Sequence, residues 1–445
     1  MRSDLAAKYD LRVPRYTSYP TAPHFGPAVG PDRYAGWLAC LPPETELSLY
    51  LHMAYCAEMC WFCGCHTKAT HRYAPVADYL DCLLREIDLT ADRLPGRMTA
   101  RHIHFGGGSP SILSPADFTR TMDALKRRFV LADDAEVAVE LDPRTTGYIY
   151  VQAMAAAGVT RASIGVQDFD DTVQRAINRM QPYQVTAQVV QWLRESGIDG
   201  INMDLIYGLP HQTLASLTDT IGLTLGLRPS RIALFGYAHV PWMKTHQRLI
   251  PEDALPDIEE RWRQYEAASS QLIAGGYVRI GLDHFARADD PLALALRENR
   301  LHRNFQGYTT DAAECLIGFG ASAIGSLPQG YVGNETGIAE YKALIRAGSL
   351  ATARGVAVDE DDLLRRAVIE RLMCDLSVDL DAMTADAAQF DADIARLAPM
   401  QADGLIVIEG RRLTLTEAGR PLVRAACAAF DRYLHQGEMR HSKAI

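Results

Sequence analysis

Ten consecutive residues, CAEMCWFCGC at 56 to 65, hold four of the nine cysteines in this chain of 445 residues. Sulfur at that density ligates soft metals or exchanges disulfides. Cys56, Cys60 and Cys63 are spaced C-x3-C-x2-C, and Cys65 lies two residues further on. Structural zinc draws ligands from two separated knuckles; no second C-x2-C or H-x3-H accompanies this stretch, and only His66 and His71 stand close by. Redox exchange wants a single C-x-x-C at a helix start, which leaves Cys56 without a task. Three thiolates on one loop can instead ligate three irons of a cubane and leave the fourth iron open. That is a catalytic arrangement, because an electron carrier would complete the set with cysteine. Cys65 follows Cys63 too tightly to complete it and is expected to point elsewhere near the site. The scattered Cys40, Cys82, Cys315, Cys374 and Cys427 have apolar neighbours and read mostly as inert core thiols.

Such a loop needs a scaffold, and the flanking sequence supplies strands alternating with helices. ELSLYLH (46 to 52), RHIHFGG (101 to 107), EVAVELD (136 to 142), RASIGVQ (161 to 167), INMDLIYG (201 to 208) and RIALFGY (231 to 237) are β-type runs. Between them lie helical patterns such as YLDCLLREIDLTADRL and PADFTRTMDALKRRF, the latter opened by Ser-Pro. Alternation of this kind implies parallel βαβ units, six of them, in an α/β barrel or open crescent. In such folds the working residues sit where strands end. The cysteine loop follows the first run, GGGSP the second, Glu140 and Asp142 end the third, Gln167 ends the fourth, Asp204 lies on the fifth, and Tyr237, Ala238 and His239 close the sixth.

The remainder divides the chain further. Residues 245 to 350 look less regular and contain HRNFQGYTT (302 to 310). From about 360 the pattern becomes helical, with one hairpin, LIVIEG-RR-LTLTEAG, resembling a small winged-helix unit. The expected organisation is an N-terminal segment (1–35) over the active site, a barrel with extension (36–350), and a mainly helical C-terminal domain (360–445). A net charge of −10 and the acidic approach to the hairpin argue against nucleic acid and anionic membrane as partners. The N-terminus has no apolar core of a secretory signal, and no run of about 18 apolar residues suggests a membrane span, so the expected setting is the cytoplasm. His102 and His104 alternate on one strand and read as satisfied barrel-facing histidines.

The cysteine loop after a first strand, with Phe62 just before the third cysteine, resembles the radical S-adenosylmethionine (SAM) enzymes. Within them, LYLHMAYCAEMCWFCGC, PRYTSYPTA (14 to 22), HFGGGSP (104 to 110), VELDPR (139 to 144), GVQDF (165 to 169), MDLIYGLP (203 to 210), DHFAR (283 to 287) and HRNFQGYTT resemble the oxygen-independent coproporphyrinogen III oxidases. The resemblance runs from about residue 9 to the end. It implies a partial (β/α)6 barrel and a 4Fe-4S cluster held by Cys56, Cys60 and Cys63, with SAM on the open iron. It further implies SAM contacts from Tyr50, Phe62, Gly107, Gly108, Ser109, Glu140, Gln167, Arg179 and Asp204, and a second SAM near Ala238, Gln306 and Ile324. The family has Thr at the position of Ser109, and Pro-Phe where this chain has Ala54-Tyr55. The implied reaction turns two propionates of coproporphyrinogen III into vinyl groups, giving protoporphyrinogen IX, with Cys65 beside the reacting groups. The implied partners are this substrate and an external electron donor such as a flavodoxin or ferredoxin system, with the chain a monomer. Haem carriage, haem degradation and methyl transfer are the alternatives among relatives. Arg15, Arg287, His302 and Arg303 are candidates by composition for the substrate's carboxylates.

Overall fold

The computed structural model describes residues 5, 8, 9, 13–386 and 388–434. Twelve strands form one sheet: β1 (Leu47–Met53), β2 (Thr99–Gly107), β3 (Val130–Leu141), β4 (Arg161–Gln167), β5 (Gly200–Tyr207), β6 (Arg231–Gly236), β7 (Tyr277–Ile280), β8 (His284–Arg287), β9 (Cys315–Phe319), β10 (Ile324–Leu327), β11 (Gly330–Asn334) and β12 (Thr352–Ala357). Their order is β12-β11-β10-β9-β1-β2-β3-β4-β5-β6-β8-β7. Neighbours from β1 to β6 are parallel, as the six βα repeats require, and β9 adds in parallel to β1. Outside these, both flanks turn antiparallel.

The six runs read from the sequence coincide with β1 to β6 within a few residues, except that β3 starts earlier. In β4 and β5 burial alternates, with one face fully buried and the other only partly so over most of the strand. Helix Pro115–Arg128 begins where Ser-Pro places it, with the Ser114 hydroxyl accepting from the Asp117 amide. The stretch from 245 to 350 departs from expectation: it contributes five strands to the sheet, and β12 continues that sheet to Ala357. These strands are four or five residues long, and three of them contain glycine, so their alternation is too brief to stand out in sequence.

The C-terminal unit has its own core, with Leu372, Leu397, Leu405, Leu413 and Phe430 at its centre. Helix Glu360–Asp375 leads into a three-stranded antiparallel sheet formed by Ser377–Asp379, Arg412–Leu415 and Ile406–Glu409. The hairpin is where the sequence puts it; the third strand, of three residues, is additional. Tyr9, Tyr16 and Tyr19 of the N-terminal segment bury into the same core. Arg424 donates to the carbonyls of Val13 and Pro14, and the Tyr16 hydroxyl donates to Asp431. The N-terminal segment from Val13 to Tyr16 is thus tied to the C-terminal unit at Arg424 and Asp431. Among the described residues, no helix is long and apolar enough to cross a membrane.

Candidate active site

The cysteine loop leaves β1 and is fastened mainly through its backbone. Asn178 donates to the carbonyl of Met59 (2.8 Å), Gln247 to Phe62 (2.9 Å), His246 to Cys63 (2.7 Å) and Lys244 to Cys65 (3.0 Å). The amide of Trp61 reaches the carbonyl of Ile177 (3.0 Å). Three of these side chains come from the stretch after β6, and none of them carries a sequence signal of its own.

The three sulfurs of the C-x3-C-x2-C set share one property: each accepts a hydrogen bond. Thr67 donates to Cys56 Sγ (3.3 Å), the Cys65 amide to Cys63 Sγ (3.3 Å), and both Arg144 and Arg179 to Cys60 Sγ (3.4 Å each). Donors of this kind favour thiolate and tune a sulfur-ligated metal. Cys65 differs. Its thiol hydrogen-bonds to Cys63, which lowers the Cys63 thiol and raises its own. Burial pushes Cys56 up to about 12, a shift that metal coordination would reverse. No group of three or more His, Cys, Asp and Glu among the described residues converges on a single-ion site. In a cubane each cysteine meets a different iron, so its thiols need not converge.

Two guanidiniums and one carboxylate back this loop. Asp142 pairs with Arg144 (2.7 Å) and Arg179 (3.4 Å); burial opposes its charge, but both arginines hold the carboxyl below its usual range. Arg179 is 6% exposed, and its Nε is buried without a hydrogen-bond partner among the described residues. That orphaned donor beside Cys60 suits the sulfides of a cluster or a ligand carboxylate. The donor set therefore fits a 4Fe-4S cluster with SAM. Sequence reasoning passed over Arg144, although it ends the VELDPR stretch.

Tyr50 and Asp204, each from the middle of its strand, both neighbour Glu140 near the end of β3. The Tyr50 ring stacks at 5.9 Å on His104, whose Nε2 lies 3.0 Å from Glu140. His52 donates Nε2–H to the carbonyl of His66 (2.8 Å) and accepts from the Tyr50 hydroxyl at Nδ1 (3.1 Å). Asp204 accepts from Ser163 (3.1 Å) and Asn202 (2.8 Å); burial and then the charge of Glu140 raise its carboxyl to about 6. His102 instead lies 3.6 Å from Asp311. Gln167 takes a left-handed conformation (φ 69°) with its amide near Arg179 above Gly165.

The glycine turn serves the loop more directly than expected. At Gly107 (φ 102°) a Cβ would come within 2.6 Å of the His52 ring, and at Gly108 one would meet the Tyr55 carbonyl at 2.5 Å. The amides of Gly108 and Ser109 donate to the carbonyls of Met53 and Tyr55, knitting this turn to the start of the cysteine loop. The Ser109 hydroxyl is turned inward, 2.8 Å from that of Ser111. Tyr55, at the departure from Pro-Phe, packs edge-on against Tyr79 (5.8 Å). Phe62 packs beside Ile206, Tyr237 and Ile250. Ala238 and Gln306 line a common cavity next to the loop, whereas Ile324 sits on β10, beside Gly318, which pairs with Tyr50 across β9 and β1.

The chain matches the Radical SAM superfamily over residues 50–224 and the HemN C-terminal domain over residues 358–422. It is 52% identical to the oxygen-independent coproporphyrinogen III oxidase of Bradyrhizobium diazoefficiens, covering 100% of both chains. With that of Paracoccus denitrificans it shares 43% identity, over 98% of this chain and 97% of the relative. The solved structure of coproporphyrinogen III oxidase (HemN) from Escherichia coli, a radical SAM enzyme, superposes with a TM-score of 0.91 at 37% identity, covering 95% of this chain and 100% of that one.

Proposed function

The chain belongs to the oxygen-independent coproporphyrinogen III oxidases of the radical SAM superfamily, and from that premise we propose how its own residues divide the work. It is an oxidoreductase of haem biosynthesis that converts two propionates of coproporphyrinogen III to vinyl groups, using a 4Fe-4S cluster and SAM. The identity over the full length of both chains carries this conclusion.

When bound, the cluster and SAM supply one electron and a 5'-deoxyadenosyl radical able to take hydrogen from an unactivated carbon. Cys56, Cys60 and Cys63 would hold the cluster, as the hydrogen bonds that each sulfur accepts support. Arg144 and Arg179 place positive charge at Cys60, favouring the added electron, while Asp142 keeps both guanidiniums in place. Arg179 Nε is left to meet the ligand. Cys65, whose amide donates to Cys63 Sγ, is a tuning group at the edge of the reacting space. Glu140 and Asp204 offer carboxylates to the ammonium and ribose of SAM, with Tyr50 and Phe62 as apolar walls and Gln167 alongside. Gly107, Gly108 and Ser109 let the turn close on the cysteine loop. Ala238, Gln306 and Ile324 border a second SAM.

The N-terminal segment, barrel and C-terminal unit form one working body that excludes water around the radical. The chain acts as a monomer in the cytoplasm, and a small redox protein of flavodoxin or ferredoxin type delivers the electrons. The test is anaerobic reconstitution followed by SAM, reductant and coproporphyrinogen III. Vinyl product with carbon dioxide is expected; SAM cleavage without either would overturn the assignment.

A further inference from the structure

Behind Gln167 and Arg179 lies a group of buried polar side chains that no step of the reaction calls on. Asp168 and Gln181 are 0% exposed and Gln174 is 1% exposed. Gln167 ends β4 in a left-handed conformation (φ 69°), where the register with β5 shifts, and Arg179 stands in the loop after the helix Asp171–Ala176. A residue other than glycine persists in that conformation only where its surroundings fix it. The segments that follow β4 and this helix belong to no helix or sheet, so their backbone groups need other partners.

Gln174 supplies most of them. Its side-chain amide donates to the carbonyls of Asp168 (2.9 Å) and Gln181 (2.7 Å), and its side-chain oxygen accepts from the Gln181 amide (2.8 Å). Its own carbonyl accepts from the Arg179 amide (2.8 Å). One carboxamide thus stands in for a peptide group between the two segments. Gln181 donates in turn to the Gly165 carbonyl (3.1 Å), the oxygen that Arg179 Nη2 also reaches (2.6 Å). The same guanidinium donates to Cys60 Sγ through Nη1. On the other side, the Asp168 carboxylate accepts from the Asp170 amide (2.6 Å), the Thr220 hydroxyl (3.0 Å) and Gln212 Nε2 (2.6 Å). Burial raises this carboxyl to about 6, against the pull of those three donors. A buried anion met by neutral donors is costly unless each of them is in place. Thr220 lies on the helix Leu214–Leu227 and Gln212 in the turn before it, so the carboxylate ties the end of β4 to the next βα unit. Apolar side chains could fill the same volume, but they could not fix the separation of Gln167 from Arg179.

We propose that Gln174 and Asp168 are positioning residues for SAM: their hydrogen bonds set the spacing of Gln167 and Arg179 and, through Arg179, the place of both against Cys60. The inference rests on the reading of Gln167 and Arg179 as SAM contacts. Affinity of the reconstituted enzyme for SAM and for coproporphyrin III is measured by anaerobic calorimetry, beside KM, kcat, iron content and thermal melting. Gln174→Met keeps the length of the side chain and removes its donors. It should weaken SAM by about tenfold and raise KM for SAM alike, with kcat at saturating SAM and coproporphyrin III affinity held within about twofold. Thr220→Val should weaken SAM about threefold through Asp168, and Thr220→Ser, which keeps the hydroxyl, should restore it. Combined with Arg179→Lys, Gln174→Met should cost less SAM affinity than the product of the two single losses, because one residue acts through the other. Unchanged SAM affinity in Gln174→Met would overturn the proposal, as would losses that multiply in the double variant or an equal fall for SAM and coproporphyrin III. Should Gln174→Met shed iron or melt early, the two Thr220 variants decide, and equal SAM affinity in both would overturn it. If Arg179→Lys weakens SAM but Gln174→Met does not, only this inference fails; if Arg179→Lys leaves SAM binding unaltered, the reading of Arg179 as a contact fails and takes the inference with it.

Discussion

The cysteine loop and the arginine-lined cavity adjoin, yet they are assembled in opposite ways. The loop takes all its reactive groups from ten consecutive residues and its rigidity from distant ones, Asn178, Lys244, His246 and Gln247 among them. The cavity takes its arginines, Arg15, Arg261, Arg303 and Arg424, from four separate stretches that the fold alone brings together. A metal cluster needs short, fixed distances between ligands, which a tight loop supplies. A ligand as wide as a tetrapyrrole needs charges spread around it, and no single loop can span that width.

The comparison breaks most completely at the loop. Cys60→Ser should abolish cluster retention and product, a fall of at least about a thousandfold, read from iron and sulfide content. Next is Gly107→Ala, whose Cβ would press on the His52 ring in a left-handed backbone. A loss of about 2–4 kcal/mol in thermal stability is expected, with the loop displaced and the cavity arginines untouched. Gln247→Ala tests the boundary, since this side chain donates to Phe62 on one side and Ala238 on the other. It should leave the cluster in place but reduce product formed per SAM cleaved by about tenfold, because two adjoining regions lose their shared bracket.

The smallest effect concerns protonation. The Asp204 carboxyl, raised to about 6, is charged above that pH and neutral below it. Between pH 7.5 and 5.5 the protein should therefore lose a negative charge facing the cationic part of SAM, and SAM affinity should fall about three- to fivefold. Asp204→Asn should start weaker and lose that dependence. A pH profile unchanged by the substitution would remove Asp204 from the contact.

How much of this was open to sequence reasoning follows from the same contrast. The cysteine triad and the runs that become β1 to β6 are local patterns, set by spacing and by strand period, and the structure brings Tyr50 and Asp204, both within their strands, beside Glu140 near the end of β3. The cavity has no local pattern. Of the four residues chosen by composition, Arg15 and Arg303 line it, His302 pairs with Glu370 (3.1 Å), and Arg287 pairs with Asp289 at the surface. Arg287 stands an odd number of residues from His284 on β8, so the pleat turns it to the opposite face. Arg261 and Arg424 lie on helices with no motif, and nothing short of the packing could have selected them.

The hold on the cysteine loop is taken on carbonyl oxygens, which every residue type presents alike. The side chains of Met59 and Phe62 are therefore free of that duty, and related proteins can vary Met59 without loosening the socket. What cannot drift is the opposite party: replacing Asn178, His246 or Gln247 removes a grip that no change within the ten residues restores.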